Sequence, residues 1–131
     1  VVEQIEWIRR QLADLETVME AQGQSDVVAA TGELAGTFVQ LEEELMQLRA
    51  TGRGQDTFRW PARLARQISY LAGTVATADF PPNDQQREVH QVLKGQLAEN
   101  QATLQALLSN DLPAFNRMLE QRNIAPISGR R

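Results

Sequence analysis

Cysteine, clustered histidine and long apolar runs are absent from this sequence. The chain of 131 residues has no cysteine and a single histidine, His90. The lack of cysteine excludes disulfides, thiolate metal ligands and a cysteine nucleophile, and a lone histidine excludes zinc or haem sites built from several imidazoles. The longest apolar runs are a few residues, far short of the roughly 20 that a membrane-spanning helix needs. No membrane span is therefore predicted.

The motifs of common catalytic and nucleotide-binding sites are also absent. Gly52 and Gly54 lack the other glycine and the lysine of a phosphate loop, and no serine lies in a nucleophile-elbow context. A di-iron site in a helical bundle needs Glu-x-x-His pairs, whereas Glu88 precedes His90 by two positions and so points to a different face. We therefore predict no catalytic, cofactor-binding or metal-ligating residue. We expect His90 to be a surface or half-buried helix residue, with a partner contact as the alternative.

Helical spacing of apolar residues is the main pattern that is present. Hydrophobic residues make up 42% of the chain and charged residues 23%, as in globular proteins, and the length suits one domain. Apolar residues recur at mainly helical spacing in four stripes: Ile5, Ile8, Leu12, Leu15 and Met19; Leu34, Phe38, Leu41, Leu45 and Leu48; Trp60, Leu64, Ile68, Leu71 and Val75; and Val89, Leu93, Leu97, Leu104 and Leu108. We expect the stripes to form the core.

Interruptions between the stripes predict the helix boundaries, at residues 2–22, 26–51, 60–78, 83–109 and 111–123. Four helices joined by short loops favour antiparallel neighbours. The predicted fold class is all-α, an up-down antiparallel four-helix bundle with a short C-terminal fifth helix, forming a single domain over residues 1–131. One long helix kinked at Pro113 is the alternative to a separate fifth helix.

Polar and proline residues at the boundaries predict the caps. Ser25 or Asp26 is expected to cap the second helix, and Asn83 the fourth, with Gln86 or Arg87 reaching back toward the cap. The remaining expected positions are Pro61 in the first turn of the third helix, after the loop at residues 50–58, and Asn110 or Asp111 as the cap of the fifth.

Three local features carry further expectations about packing. Gly32 and Gly36 weaken the second helix, and close approach by a neighbouring helix would compensate for this. Glu99 to Gln101 leave a polar gap in the fourth stripe. Beyond the fifth helix we expect a terminal coil whose Ile124 and Ile127 dock on the bundle.

The charge pattern argues against nucleic acid as a partner. The net charge is −4, whereas sequence-independent nucleic-acid binding needs clustered Lys and Arg. The arginines at positions 49, 53, 59, 63 and 66 form the basic run. We expect Arg63 and Arg66 to form exposed ion pairs with Glu42 to Glu44, which fan out on a solvated face.

Two segments, "TGRGQDTFRWPARLARQISYLAGTVATADFPPNDQQREVH" and "DLPAFNRMLEQRNIAPI", carry a family resemblance. They resemble the C-terminal helical region of large bacterial proteins with sortilin-type β-propellers, the BNR-repeat or Asp-box glycosyl-hydrolase-like proteins. The resemblance covers residues 50–127 and extends to the first two helices only in type. The residues that carry it are Trp60, Pro61, Leu64, Leu71, Val75, Ala78, Asp79, Pro82, Gln85, Gln86, the spaced leucines of the fourth helix, Asp111, Leu112, Asn116, Leu119, Pro126 and Ile127.

This resemblance implies an appended module whose upstream propeller would recognise sugar, peptide or protein in an extracytoplasmic setting. No catalytic residue of such a propeller is carried over, because its repeats are not in these residues. Since the chain begins at Val1 without a visible signal peptide, we expect a fragment or a processed product. The residues themselves leave the compartment undetermined.

The expected function is that of a non-catalytic helical accessory or interaction domain. It would bind its own upstream propeller, another protein or a second copy through exposed apolar positions such as Trp7, Val18, Tyr70 or Phe80. The alternative is a small helical ligand-binding or enzymatic bundle with a site in its core, formed by converging Arg, Glu or Tyr side chains.

Overall fold

All regular structure in the described residues is helical. The computed structural model describes residues 1–49 and 62–130, and within them there is no strand. The elements are α1 (Val2–Ala21), α2 (Ser25–Leu45), α3 (Leu64–Ala76), α4 (Asp84–Ala106), a π-helical turn (Leu107–Asp111) and α5 (Leu112–Gln121). The predicted all-α class is confirmed. None of the described helices is both long enough and apolar enough to cross a membrane.

The chain divides into two compact units. One, here called the terminal unit, contains Val1–Glu42 and Ala102–Arg131, and the other, here called the hairpin unit, contains Glu43–Gln101. The polar run Glu99 to Gln101, predicted as a gap in the fourth stripe, ends at the boundary between them. The single domain and the up-down arrangement of four helices stay predictions.

The terminal unit buries apolar side chains from each of its helices. The stripes predicted for the first two helices supply much of it, as the spacing indicated. Its buried apolar side chains are Ile5, Ile8, Leu12, Met19, Val27, Leu34, Phe38, Leu41, Leu104, Leu107, Leu112, Phe115, Leu119 and Ile127. The fully buried Thr31 hydroxyl donates to the Val27 carbonyl at 2.7 Å, so this polar group keeps a partner in the core.

The turn between α1 and α2 is built on a left-handed glycine. Gly23 has φ of 70°, and the Gln24 N–H donates to the Met19 carbonyl at 3.1 Å, which closes a Schellman motif. The Val28 N–H donates to the Gln24 carbonyl at 3.1 Å, so Gln24 takes the cap position. The predicted cap position, Ser25 or Asp26, is wrong by one or two residues, because Ser25 is already the first helical residue, although the Asp26 carboxylate does accept from the first-turn Val27 N–H at 3.0 Å.

The second helix ends earlier than predicted. It stops at Leu45, and Leu48, predicted on its apolar stripe, lies in a turn with 39% of its surface exposed. The Gln47 side-chain oxygen accepts from the Arg49 N–H at 3.3 Å, a local bond that competes with continuation of the helix.

The compensation expected for Gly32 and Gly36 is not found. A methyl group added at Gly36 would meet nothing within 4 Å, and one at Gly32 would meet only a Glu16 carboxylate oxygen at 4.0 Å. Within residues 1–49 and 62–130, no neighbouring helix therefore approaches these glycines closely, and the close-packing hypothesis is wrong for this part of the chain.

The fourth and fifth helices are continuous. The residues flanking the π-helical turn, Ala106 and Leu112, keep right-handed helical backbone angles, and Asp111 makes no side-chain cap hydrogen bond. The capped, separate fifth helix is therefore wrong, and the long-helix alternative is closer to the structure. In a regular α-helix, Pro113 would leave a hydrogen bond unmade because it lacks an N–H, and its ring would clash with the carbonyl four residues earlier. The wider π turn before it accommodates both effects, so the chain stays helical through Pro113.

Amide side chains hold the terminal coil against the terminal unit. Asn116 donates to the Ile127 carbonyl at 2.9 Å and accepts from the Ile127 N–H at 2.8 Å. The Gln11 side chain makes the same pair of bonds with the Ser128 backbone: it donates to the Ser128 carbonyl and accepts from the Ser128 N–H, both at 2.9 Å. Ile127 is buried and Ile124 half-buried, so the predicted docking of the coil is confirmed.

Candidate interaction surface on the α3–α4 hairpin

A reciprocal capping box starts α4. The Gln86 N–H donates to the Asn83 side-chain oxygen at 2.8 Å, and the Asn83 N–H donates to the Gln86 side-chain oxygen at 3.0 Å. Both the predicted cap and the predicted return contact are confirmed, with Gln86 as the residue that reaches back. The two bonds satisfy orphan N–H groups at the helix start and define where α4 leaves the turn.

The third helix begins later than predicted, at Leu64, with Arg63 in the cap position and no side-chain cap hydrogen bond. The predicted first-turn position of Pro61 and the loop at residues 50–58 lie outside the described residues. The helix ends at Ala76, before Phe80, as the following Pro81-Pro82 pair predicted.

An apolar groove runs between α3 and α4 on one side of the hairpin. It has a volume of about 550 Å³, and Pro82 borders it. Its floor is apolar and consists of Ile68, Leu71 and Val75 from α3 with Leu93 and Leu97 from α4. We call this feature the apolar groove.

The floor of the apolar groove is only partly buried. Leu93 is buried, but Ile68, Leu71, Val75 and Leu97 are half-buried. The expectation that the third and fourth stripes are core throughout is therefore wrong for these residues. Helical spacing predicts which side chains share a face, but it does not supply a second layer to cover that face.

Basic residues border the apolar groove along α4. Arg87, His90 and Lys94 line it, and no acidic side chain among the described residues does. The Arg87 guanidinium lies 3.9 Å from the Asp84 carboxylate, and the Asp84 side chain is 98% exposed. Such a solvent-exposed ion pair contributes little to the free energy of unfolding. His90 is exposed, which confirms its predicted surface position.

More apolar side chains are exposed on the other flank of the hairpin and in its turn. Tyr70 is 78% exposed, Val92 59% and Phe80 80%. Arg66, Thr74 and several glutamines line the depression around Tyr70 and Val92, so it is more polar than the apolar groove.

Val18 and Trp7 were both predicted to be exposed, and the structure confirms this for Val18 but not for Trp7. Val18 is 49% exposed, as expected. Trp7 is half-buried, and its indole nitrogen is buried without a hydrogen-bond partner in the described part of the chain. Trp7 is therefore not the open apolar contact that was predicted.

A charged depression lies between α1 and α2, lined by Glu6, Arg9, Arg10, Glu16 and Glu42 among others. Glu42 is 2% exposed, and the Arg9 guanidinium forms an ion pair with its carboxylate. The expectation that Glu42 to Glu44 all lie on a solvated face is wrong for Glu42. Its partner is Arg9 rather than Arg63 or Arg66, neither of which pairs with these glutamates among the described residues.

Groups suited to catalysis or metal binding do not converge in the described residues. No cluster of three or more His, Asp or Glu side chains in residues 1–49 and 62–130 could hold a metal ion. The buried polar side chains there, Thr31 and Glu42, are both bonded within the chain. The described lining of the apolar groove includes neither a carboxylate nor a tyrosine.

One carboxyl group has a perturbed pKa. The hydrogen bond from the Arg122 guanidinium, aided by the Val27 N–H at 3.0 Å, lowers the pKa of Asp26 below its ordinary value of 3.8. This pair joins the first turn of α2 to the C-cap of α5. It is a structural contact at the surface of the terminal unit.

Sequence reasoning missed the apolar groove, although a signal for it exists. Arg87, His90 and Lys94 are spaced by three and four residues, which places them along one side of α4. Helix α3 contains no acidic residue between Leu64 and Ala76. A row of basic residues beside an apolar stripe, with no carboxylate on α3 opposite, is the pattern that indicates this surface.

Comparison with known proteins gives no match: no family model, no curated protein and no solved structure is similar to this chain.

Proposed function

We propose that this chain is a non-catalytic helical interaction domain and that the apolar groove is its binding surface. One observation carries the proposal. The helical stripes of the terminal unit are almost entirely buried, whereas four of the five floor residues of the groove remain half-buried. Apolar surface concentrated in one concave site is typical of binding sites in soluble proteins.

The geometry favours a helix as the bound element. Two helices with their apolar stripes side by side leave a channel between them, and a third amphipathic helix fills such a channel. Binding would bury Ile68, Leu71, Val75 and Leu97, and burial of apolar area is the main driving force of association.

The test uses the full chain and an uncharged amphipathic peptide with leucines on one helical face and glutamine on the other. Methyl resonances of Ile68 and Leu97 are followed by NMR during titration. We expect them to shift in a saturable manner. The double variant Ile68→Ser/Leu97→Ser should lose binding, because both side chains belong to the floor.

A matched control distinguishes binding in the apolar groove from non-specific binding to other exposed apolar side chains. Val92 lines only the other flank of the hairpin, so Val92→Ser should bind the peptide as the unaltered chain does. Unchanged groove resonances at saturating peptide, or equal loss of binding in Val92→Ser, would contradict the proposed function.

We also propose that the domain is the C-terminal module of a larger β-propeller protein of the glycosyl-hydrolase-like kind. The support is the resemblance of residues 50–127 described above. Determining the complete coding region checks it, and a product without propeller repeats before this domain would overturn it.

A further inference from the structure

We infer that the occupant of the apolar groove is an acidic amphipathic helix of another protein. Its apolar face would lie on the groove floor, and its carboxylates would pair with Arg87 and Lys94, which lie on either side of His90 along α4. This inference rests on the proposed function and adds the chemistry of the partner.

The dimensions suit a helix of a few turns. The lining of α4 extends from Gln86 to Leu97, which at about 1.5 Å per residue spans roughly 17 Å. On α3, Ile68, Leu71 and Val75 are spaced by three and four residues and form a single ridge. A partner helix of about three turns, with apolar residues at the same spacing, would contact both rows.

The charge at the border of the groove selects an acidic partner. Arg87 and Lys94, with His90 between them, follow one another along α4 at its edge, and among the described residues no acidic side chain lines the groove. The Asp84 carboxylate, 3.9 Å from Arg87, is almost fully exposed and does not cover the cations. Carboxylates on the flank of a docked helix would meet this row, and complementary charge favours encounter and register.

A second copy of the chain fits the groove less well. In a two-fold symmetric pair, each groove would face an identical surface. In the described residues, that surface contributes the same Arg87 and Lys94 cations and no carboxylate, and α3 has no acidic residue. Like charges facing each other oppose such a pairing.

The experiment compares three labelled peptides that differ only in charge. Each is an amphipathic helix of about 18 residues with the same leucine face, and its flanking positions carry glutamate, glutamine or lysine. Binding to the full chain is measured by fluorescence anisotropy at about 50 mM and about 300 mM salt. We expect the glutamate peptide to bind at least about tenfold more tightly than the lysine peptide at low salt, with a smaller difference at high salt.

Charge reversal at the border provides the matched variant. Arg87→Glu/Lys94→Glu should invert the order of the glutamate and lysine peptides. Arg117→Glu/Arg130→Glu changes the net charge by the same amount but lies in the terminal unit, so it should keep the original order. Circular dichroism of both variants shows whether the helices are intact, and the response of the glutamine peptide reports whether the groove still binds.

Each outcome decides between the inference and the proposed function. If all three peptides shift the groove resonances with equal affinity, the acidic partner is overturned while the interaction domain stands. If none of the three peptides binds, both the acidic partner and the proposed function are contradicted. Two further results would also overturn the acidic helix: binding to phosphatidylserine vesicles without any preference among the peptides, or self-association that covers the groove.

Discussion

At the scale of single residues, charged side chains that are neighbours in the sequence lie in different environments in the structure. Glu42, Glu43 and Glu44 are consecutive, yet Glu42 is buried, Glu43 is half-buried and Glu44 is exposed. A buried carboxylate loses hydration and needs a charged or hydrogen-bonding partner, which Arg9 provides. The ion pair therefore matters mainly because it prevents an unpaired charge in the terminal unit.

Replacing Arg9 by methionine tests this pairing. Arg9→Met should lower the free energy of unfolding by about 1–3 kcal/mol, because it leaves Glu42 buried without its partner. Urea denaturation followed by circular dichroism measures the change. The control is Arg10→Met, whose side chain is 73% exposed and 3.9 Å from Glu6, and it should cost no more than about 0.5 kcal/mol. Equal losses of unfolding free energy in the two variants would contradict the conclusion that the buried Glu42 carboxylate depends on Arg9.

The Asp26 and Arg122 pair has a defined pH dependence. Because the folded pKa of Asp26 lies below 3.8, the pair stabilises the fold above that pH, and its contribution is lost as the pH falls through the folded pKa. Arg122→Gln should therefore melt earlier than the unaltered chain at about pH 6, and the difference should shrink as the pH is lowered below 3.8 and through the folded pKa of Asp26.

An NMR titration of the Asp26 carboxyl group checks the same pair directly. Its midpoint should lie below 3.8 in the unaltered chain and move back toward that value in Arg122→Gln, since the largest cause of the lowered pKa is removed. Arg117→Gln, on the same helix, should leave the midpoint in place. A midpoint insensitive to Arg122→Gln would rule out the guanidinium as the cause.

At the scale of elements, local side-chain chemistry determines helix ends where it satisfies backbone groups. Asn83 and Gln86 exchange two hydrogen bonds at the start of α4, and Gly23 adopts the left-handed conformation after α1. Pro113 acts differently, because tertiary packing keeps the chain helical through it. Leu107, Leu112 and Phe115 are all buried, so a break in the helix there would withdraw apolar side chains from the terminal unit.

The capping box predicts a stability change without a binding change. Asn83→Ala should lower the free energy of unfolding by about 1 kcal/mol, since it leaves the first turn of α4 without its side-chain acceptor. Gln85→Ala, an exposed neighbour outside the box, should change it by no more than about 0.5 kcal/mol. Thermal and urea unfolding measure both, and peptide affinity for the apolar groove should be unchanged. Lost peptide binding with an unaltered melting temperature would instead make Asn83 part of a binding site.

At the scale of the whole molecule, the two units differ in how much of their apolar surface they bury. The described apolar core of the hairpin unit consists of Leu45, Leu64 and Leu93, whereas the terminal unit buries side chains along each of its helices. Regions with fewer buried contacts open at lower free energy. We infer that α3 is easier to open locally than α1.

Hydrogen exchange measures this difference. Amides around Leu71 and Val75 should exchange at least about tenfold faster than those around Ile8 and Leu12. The glutamate peptide should slow exchange in α3, because its docking would bury the groove floor. Exchange in α1 serves as the internal control and should not respond. Equal protection of α1 and α3 in the free chain would contradict the inferred difference between the units.

The sequence by itself determined the helical class, most of the α1 and α2 stripes and the cap of α4. Each of these depends on spacing or on residues close in the chain, since periodicity sets a face and a cap needs only its own first turn. The apolar character of Ile124 and Ile127 indicated that the terminal coil docks, but the partners that hold it, such as Gln11, are distant in the chain. Only the tertiary structure decided that Glu42 is buried, that α4 continues through Pro113, and that Ile68, Leu71, Val75 and Leu97 form a groove. Burial depends on which surfaces meet, and a stripe has the same spacing whether or not another layer covers it.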